Sequence, residues 1–172
     1  MSKKTAIPGQ AEALSAGQVR EAYSCFPSGV VAICALVGGE PAGLVASSFT
    51  AVSLQPPLVS FCIQNDSTTW PRLRDVTRLG LSVLSEAHDL ACRQMSAKAG
   101  DRFAGLSIEA NAAGAVFIHG APAWIDCSVD SQIPAGDHRI VLLRVNALSA
   151  YPHVAPLVFY RSTFASLRHL VA

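Results

Sequence analysis

Hydroxyl and cationic side chains cluster in the stretch QNDSTTWPRLR, residues 64–74. Ser67, Thr68 and Thr69 precede a predicted helix, and Arg72 and Arg74 follow closely. A helix start offers free N–H groups and the positive end of the helix dipole, which suit a phosphate. Serine and threonine are also common N-caps where no ligand binds. The stretch alone therefore predicts either a phosphate site or an ordinary cap.

A row of small residues forms a second feature, in the stretch GLVASSFTAVSL, residues 43–54. Small side chains let a flat ligand lie close to the backbone, whose N–H and C=O groups can bond the edge of a heterocycle. A tightly packed strand pair with satisfied serine hydroxyls accounts for the same row. By itself, this row does not distinguish the two interpretations.

Two further segments place a charged or titratable side chain beside a turn or an aromatic ring. In Asp101-Arg102-Phe103 the arginine could meet a planar or anionic ligand, or the segment could be a solvated loop with Phe103 in the core. His138 follows Gly136-Asp137 at a predicted strand start and could donate to a ligand or a developing anion. The alternative is that Asp137 and His138 only organise the turn.

Several familiar motifs are missing from the sequence. It contains no GxGxxG after a strand, no Walker A sequence, no GxSxG and no CxxC or HExxH. The sequence thus supports neither a Rossmann site, a P-loop, a serine hydrolase elbow nor a zinc site. The cysteines are scattered in mostly apolar contexts, so we expect all five to be buried, reduced thiols: Cys25, Cys34, Cys62, Cys92 and Cys127.

The elements that position these residues are mostly short strands. Apolar runs and turn signals predict strands at residues 30–37, 42–48, 50–54, 57–63, 79–84, 123–133, 138–150 and 157–160. Helices are predicted from a capping box at Ser15 to Phe26 at the latest, and at residues 70–76, 86–97 and 164–170. Pro56-Pro57 marks a sheet edge or a strand entry. Without βαβ alternation, this order favours an antiparallel barrel or sandwich with peripheral helices.

The totals describe one apolar domain. The chain has 172 residues, 51% hydrophobic and 15% charged, with mean hydropathy +0.35, so we expect apolar surface to be buried between subunits. We expect a loose tail at residues 1–14 and one domain at 15–172. Net charge is +1 and no Lys/Arg stripe is present, so neither nucleic acid nor a membrane is an expected partner. No secretory signal or membrane-length apolar run is evident, which predicts a cytoplasmic protein.

Taken in order, the segments FPSGV, GLVASSFTAVSLQPPLV, STT, DRF, GDH and PLVFY resemble the flavin reductase-like family. The resemblance runs from Tyr23 to Leu167. It implies a mainly β fold, the FMN-binding split barrel, which is an antiparallel Greek-key barrel with peripheral α-helices. It also implies a homodimer that transfers hydride from NADH or NADPH to FMN or FAD and supplies the reduced flavin to a separate monooxygenase.

The resemblance further implies which residues contact the flavin. Residues 43–49 would line the isoalloxazine ring, and the contacts assigned there are Leu44, Val45, Ala46, Ser47 and Ser48. The contacts assigned toward the ribityl chain are Ser53, Cys62, Ile63 and Gln64. Ser67, Thr68 and Thr69 would hold the phosphate of FMN or the pyrophosphate of FAD.

Four more assignments come from the same resemblance. Lys98 and Arg102 would add positive charge near the phosphate. Phe103 and His138 would lie near the ring face where nicotinamide stacks. Hydride transfer needs no protein nucleophile, so His138, the residue assigned to catalysis, has an orienting or electrostatic role.

The chain departs from the family pattern at two positions and leaves other functions open. Val45 stands where threonine is frequent, and Leu143 replaces a glycine that is common after the GDH turn. One alternative is a flavoprotein with tightly bound FMN that reduces another acceptor, such as a corrinoid, a ferric chelate or a quinone. Others are a non-enzymatic flavin- or haem-binding protein and a barrel that has lost its pocket.

Overall fold

The computed structural model describes residues 14–97 and 99–167 of the chain. Its helices are α1 (Ala16–Ser24), α2 (Trp70–Leu73) and α3 (Asp89–Ser96), the last preceded by a 3-10 turn at Glu86–His88. The strands are β1 (Ser28–Gly29), β2 (Val31–Val37), β3 (Glu40–Ala46), β4 (Thr50–Leu54), β5 (Pro57–Gln64), β6 (Leu79–Val83), β7 (Ile108–Ala110), β8 (Val116–Ile118), β9 (Ala123–Ala135), β10 (His138–Ala150), β11 (Leu157–Tyr160) and β12 (Thr163–Ser166).

The main sheet has seven antiparallel strands in the order β3-β2-β6-β9-β10-β5-β4. Its two outer strands, β3 and β4, are consecutive in the chain and are joined only by residues 47–49. So short a link spans at most about 14 Å. The sheet must therefore curl until its outer strands approach each other, which makes it a barrel with an unpaired seam.

Strand β2 explains why the core lies on both faces of this sheet. Residues 31–35 are all buried, and alternate side chains of a strand point to opposite faces. Val31 and Ile33 enter one apolar cluster with Phe61 and Leu81, while Cys34 enters a second cluster beneath α3. The continuous apolar run in the sequence is thus the mark of a strand covered on both sides.

The expected mainly β antiparallel fold is confirmed, but the predicted helix at residues 164–170 is wrong over its first part. Residues 163–166 form β12, which pairs with β11, and residues 168–170 lie outside the described residues. The turn between the two strands places Arg161 at φ 49° and Ser162 at φ 60°. Such hairpin turns usually carry Asn or Gly, so the Arg-Ser pair does not mark a turn in the sequence.

Other boundaries differ less. The predicted helix 70–76 ends at Leu73, and the predicted helix 86–97 divides into the 3-10 turn and α3. The short strands β1, β7 and β8 were not predicted. The capping box of α1 is present, with Ser15 N donating to Gln18 Oε1 at 2.9 Å. Residues 1–13, most of the predicted tail, lie outside the described residues.

The expectation that every cysteine is buried is wrong for two of them. Cys25 is exposed at the end of α1 and Cys62 is half-buried on β5, because both lie where the chain faces solvent rather than either core cluster. Burial raises the pKa of Cys92 to about 11 and that of Cys127 to about 12, and it also raises the pKa of Cys34. All five side chains are unbridged thiols.

The helices of the described residues are short. Within residues 14–97 and 99–167, none is long and apolar enough to cross a membrane.

Candidate functional site

A cavity of about 520 Å³ lies at the seam of the barrel and is called the polar cavity below. Leu44 and Val45 of β3 face Ile63 and Gln64 of β5 across it, because β5 extends beyond Ser60, the last residue that β4 pairs, and its end meets the seam without pairing with β3. The remaining lining residues come from the loop before α2, from α3 and from the loop after it: Asp66, Ser67, Thr68, Thr69, Met95, Ser96 and Arg102.

Arg102 is the cation of this cavity and is held from three directions. Its Nη1 donates to Thr69 Oγ1 at 2.7 Å and to Gly43 O at 3.2 Å, and its Nε donates to Ala97 O at 3.0 Å. These bonds leave Nη2 without a hydrogen-bond partner in the described part of the chain. The side chain is half-buried, so its charge is fixed in position and screened less than that of an exposed arginine.

Ser67, Thr68 and Thr69, called the hydroxyl loop below, supply both a cap of α2 and a partner of Arg102. Ser67, not Thr69, caps α2 with its side chain, since Ser67 Oγ accepts from Trp70 N at 3.2 Å. The buried hydroxyl of Thr69 is instead the acceptor of Arg102. Because α2 spans only four residues, its dipole adds little. Among the described residues that line the cavity, Arg102 is therefore the source of positive charge.

A smaller outer cavity of about 350 Å³ adjoins the polar cavity and shares Thr68, Thr69 and Arg102 with it. Gly43 and Phe103 are in contact at its wall: a Cβ on Gly43 would come within 2.9 Å of the Phe103 ring. Phe103 also packs against the second core cluster. Both sequence interpretations of Phe103 are thus met, since the ring is part of the core and also lines a cavity.

The serine row has a structural explanation at one position. Ser48 Oγ accepts from Cys62 N at 2.8 Å and donates to Cys62 O at 3.2 Å. The hydroxyl thus bonds both backbone groups of Cys62 at the seam, as a neighbouring strand would. Ser47 instead faces a small apolar cavity of about 190 Å³ that also contacts Val45 and Ala46. This apolar cavity meets the polar cavity at Val45 and Ser96.

His138 lies at the end of β10, directly opposite Gln64 of β5. The two-residue turn before it is fastened to β5, since Asn65 donates through Nδ2 to Gly136 O at 3.1 Å and through its backbone N to Asp137 O at 3.0 Å. His138 Nδ1 is 2.7 Å from Asp137 Oδ1. The hydrogen bond with His138 is the main cause that holds the pKa of the Asp137 carboxyl below its usual value, with a smaller contribution from Arg20.

The structure brings most of the predicted site residues together. Eight of them line the polar cavity: Leu44, Val45, Ile63, Gln64, Ser67, Thr68, Thr69 and Arg102. Ala46, Ser47 and Phe103 line the adjoining cavities, and Ser48 lines, with Ser47, an open depression beside α1 that is described further below. Ser53 on β4, Cys62 on β5 and His138 line none of these cavities, and Lys98 lies outside the described residues.

Sequence reasoning missed the residues supplied by α3 and by β11–β12. Met95 and Ser96 line the polar cavity, and Phe159 and Phe164 line the apolar one. No local pattern marks Met95 or Ser96 as part of a site. Phe164 was obscured by the wrongly predicted helix. The described residues contain no cluster of His, Cys, Asp and Glu suited to a metal ion.

Comparison with known proteins identifies the family. The model of the flavin reductase like domain matches residues 23–168. The chain belongs to the flavin reductase-like family. A flavin reductase of Pseudomonas putida is 37% identical over 140 residues, which cover 81% of this chain and 82% of that protein. The reductase subunit HsaB of a flavin-dependent monooxygenase from Rhodococcus jostii is 33% identical over 157 residues, covering 91% and 80%.

A solved structure supports the same relationship. The NADH:FAD oxidoreductase SgcE6 of Streptomyces globisporus, in complex with NAD and FAD fragments, superposes with a TM-score of 0.85 at 30% identity. The match covers 94% of this chain and 100% of that one. The seamed barrel described above is therefore the split barrel of the flavin reductases.

The polar cavity fits a flavin. Its 520 Å³ lies within the range of roughly 300–1,000 Å³ usual for ligand pockets. Leu44, Ile63 and Met95 give it apolar walls, while the hydroxyl loop and Arg102 give it a polar, cationic end suited to a phosphate. Of the two departures from the family pattern, Val45 adds to the apolar wall. Leu143 is fully buried in the first core cluster and does not reach the cavity.

Proposed function

We propose that this chain is an NAD(P)H:flavin oxidoreductase that supplies reduced FMN or FAD to a separate monooxygenase. The observation that carries this proposal is the polar cavity itself: a slot at the barrel seam with apolar walls and a polar end at a fixed arginine, in a member of the flavin reductase-like family. Flavin and reduced nicotinamide nucleotide are the cofactor and co-substrate of this reaction, and the relatives named above support both.

A bound flavin would supply the hydride-accepting chemistry, and reduced flavin would be the product passed on to the monooxygenase. The role of the protein is to hold and orient the flavin. Arg102, with the hydroxyl loop Ser67, Thr68 and Thr69, binds phosphate through charge-assisted hydrogen bonds. Leu44, Val45 and the other apolar wall residues exclude water from the slot.

We assign to His138 an orienting or electrostatic role, as the sequence predicts. Asp137 engages Nδ1, so Nε2 is the ring nitrogen that is available to a ligand beside Gln64. A substitution His138→Asn is expected to lower kcat for NAD(P)H oxidation while leaving flavin affinity within about twofold. An equal loss of kcat in His138→Asn and in Asp137→Asn would indicate that the pair only shapes the turn.

We also propose a homodimer that docks on a monooxygenase component. The relative HsaB is itself a reductase subunit of such an enzyme. Apolar side chains are exposed on β4 and β10 of the barrel: Val52 is 50%, Leu54 is 90% and Leu148 is 68% exposed. A surface of this kind favours burial against another subunit. Sedimentation equilibrium tests the homodimer, and a molecular mass of one chain at micromolar concentration would contradict it.

Two broader assignments complete the proposal. A single domain is proposed for residues 15–172, supported by the family match over 23–168. A cytoplasmic location is proposed, supported by the five unbridged thiols, since disulfides are rare in reducing compartments. Limited proteolysis and cell fractionation test these assignments.

The decisive experiment is oxidation of NADH and NADPH by the purified protein with FMN or FAD added stepwise. The rate is expected to saturate with added flavin, because flavin behaves as a substrate of a reductase component. A yellow protein that oxidises NAD(P)H with no need for added flavin would indicate a prosthetic flavin and another acceptor. No oxidation with any pair, in protein that still binds flavin, would overturn the reductase and favour a binding protein.

A further inference from the structure

An open depression of about 430 Å³ lies beyond the apolar cavity and is called the α1 basin below. One wall is α1 and the opposite wall is the turn between β11 and β12, which contributes Arg161. Its floor is Phe159, whose strand also pairs with β1. The two walls are tied together by a hydrogen bond from Arg161 N to Ser24 O at 3.1 Å.

Two arginines face this basin, Arg20 from α1 and Arg161 from the turn. Neither forms an ion pair with a carboxylate in residues 14–97 and 99–167. The guanidinium carbon of Arg161 lies 5.4 Å from the centre of the Tyr160 ring, which restrains it without neutralising it. Two unneutralised arginines on opposite walls of one depression create a site for an anion with more than one charge.

The aromatic residues of the basin are unusually exposed. Tyr23 is 76% and Phe26 is 78% exposed, and α1 buries none of its residues. Exposed rings beside arginines suit a planar heterocycle that carries phosphate, since the rings offer stacking surface and the arginines offer charge.

The α1 basin is continuous with the flavin groove. It shares Ser47 and Phe159 with the apolar cavity, which in turn meets the polar cavity at Val45 and Ser96. A molecule in the basin therefore reaches from α1 toward the same seam that holds the flavin.

We propose that the α1 basin binds the adenosine diphosphate part of NAD(P)H, with Arg20 and Arg161 on its pyrophosphate and Tyr23 or Phe26 stacked on its adenine. This inference rests on the proposed function, because it assigns a place to the co-substrate of that reaction. The flavin phosphate has its own cation in Arg102, which leaves the two basin arginines for a second phosphorylated ligand.

ADP-ribose is the probe, since it carries the adenine and pyrophosphate of NADH without the nicotinamide. Its affinity for the full chain is measured by titration calorimetry in the wild type, Arg20→Gln, Arg161→Gln and the double variant. Each single substitution is expected to weaken binding about tenfold, and the double variant roughly 100-fold, as each removes a charged hydrogen bond to phosphate. FMN affinity is expected to change by less than about twofold.

Arg144→Gln is the matched control. Arg144 on β10 is also an exposed arginine; it pairs with Asp130 at 2.8 Å and lines none of the cavities described above. Its substitution removes the same charge from the surface and is expected to leave ADP-ribose affinity unchanged. An equal loss in Arg144→Gln would reduce the effect to overall charge and overturn the proposal.

Steady-state kinetics separate this inference from the proposed function. The KM for the preferred nicotinamide nucleotide is expected to rise at least about tenfold in the double variant, with kcat nearly unchanged, as for lost uniform binding. A wild type that oxidises NAD(P)H, with an unchanged KM in the double variant, overturns the basin while the reductase stands. A wild type that oxidises neither nucleotide overturns both. A double variant that loses only its self-association shows that a second copy of this chain fills the basin instead.

Discussion

The polar cavity and the α1 basin differ in how their arginines are held. Arg102 makes three hydrogen bonds to β3, to the loop before α2 and to the end of α3, and it is half-buried. Arg20 and Arg161 stand on a helix without buried residues and on a two-residue turn. The first site is fixed before any ligand arrives, whereas the second has exposed side chains that can adjust.

This difference suits two ligands with different tasks. A pre-organised cation loses little side-chain entropy on binding, so it fixes the position of a phosphate and of the ring attached to it. Exposed side chains lose more entropy when they bind, which favours a ligand that must leave after each turnover. The comparison thus predicts tight control of the flavin and easy exchange of the nicotinamide nucleotide.

Thiol labelling gives the largest expected contrast between the two regions. Cys25 is exposed at the end of α1, while Cys34 is buried against Gly43 behind the cavities. Cys25 is expected to react with a thiol reagent at least about 1,000-fold faster, because Cys34 must wait for an opening of the barrel. Mass spectrometry of timed samples at pH 8 measures the ratio. Comparable rates would show that the barrel side is as open as α1.

Substitution of Arg102 is expected to have the next largest effect. Arg102→Ala removes the fixed cation, so FMN affinity is expected to fall about 10- to 100-fold, as for a charged hydrogen bond. Stability to urea is also expected to fall by about 1.5–3 kcal/mol, because Thr69 and Gly43 lose their partner. Arg74→Ala, on the exposed end of α2, is the control. Arg102→Lys keeps the positive charge but not the forked guanidinium that makes three hydrogen bonds. Full FMN affinity in this variant would show that the charge alone, and not its fixed position, binds the phosphate.

A pair of glycine substitutions compares the packing of the two regions. A Cβ on Gly43 would meet Cys34 Sγ at 2.6 Å and the Phe103 ring at 2.9 Å, whereas one on Gly29 in β1 would meet nothing within 4 Å. Gly43→Ala is expected to cost about 1–3 kcal/mol of unfolding free energy and to weaken flavin binding. Gly29→Ala is expected to be neutral or slightly stabilising. Urea unfolding measures both, and equal values would show that Phe103 yields freely.

His88 gives the smallest expected effect and concerns the support of α3. Burial lowers its pKa below 6.5, while the bond from its ring to His119 O opposes this. The unfolded chain therefore takes up the proton first, so stability is complete above about pH 6.5 and declines as pH falls through that value. Urea midpoints from pH 8 to 5 are expected to fall less in His88→Asn. Parallel curves would contradict this, and the exposed His119–Glu109 pair, retained in both proteins, cancels in the comparison.

Much of the site could be anticipated from the sequence, because its segments resemble those of the family. The hydroxyl loop, Arg102 and residues 44–45 and 63–64 do meet in one cavity. Ser48 shows where the anticipation stopped: its hydroxyl bonds the Cys62 backbone at the seam, a contact between positions 14 apart that no local pattern encodes. Ser53 and Cys62 line none of the three cavities, and this too depends on how distant strands meet rather than on a local pattern.

The sequence by itself determined the antiparallel, mainly β fold, since turn residues and apolar runs act locally on neighbouring residues. Most strand bounds followed, and β4, β10 and β11 matched their predicted ranges. Only the tertiary structure decided which residues share a site. Closure of the barrel through residues 47–49 brings Gly43, Thr69 and Arg102 together across 59 and 33 positions of sequence. Such contacts depend on how the whole sheet curls, and the same curvature left the arginines of α1 and of the β11–β12 turn facing one open basin.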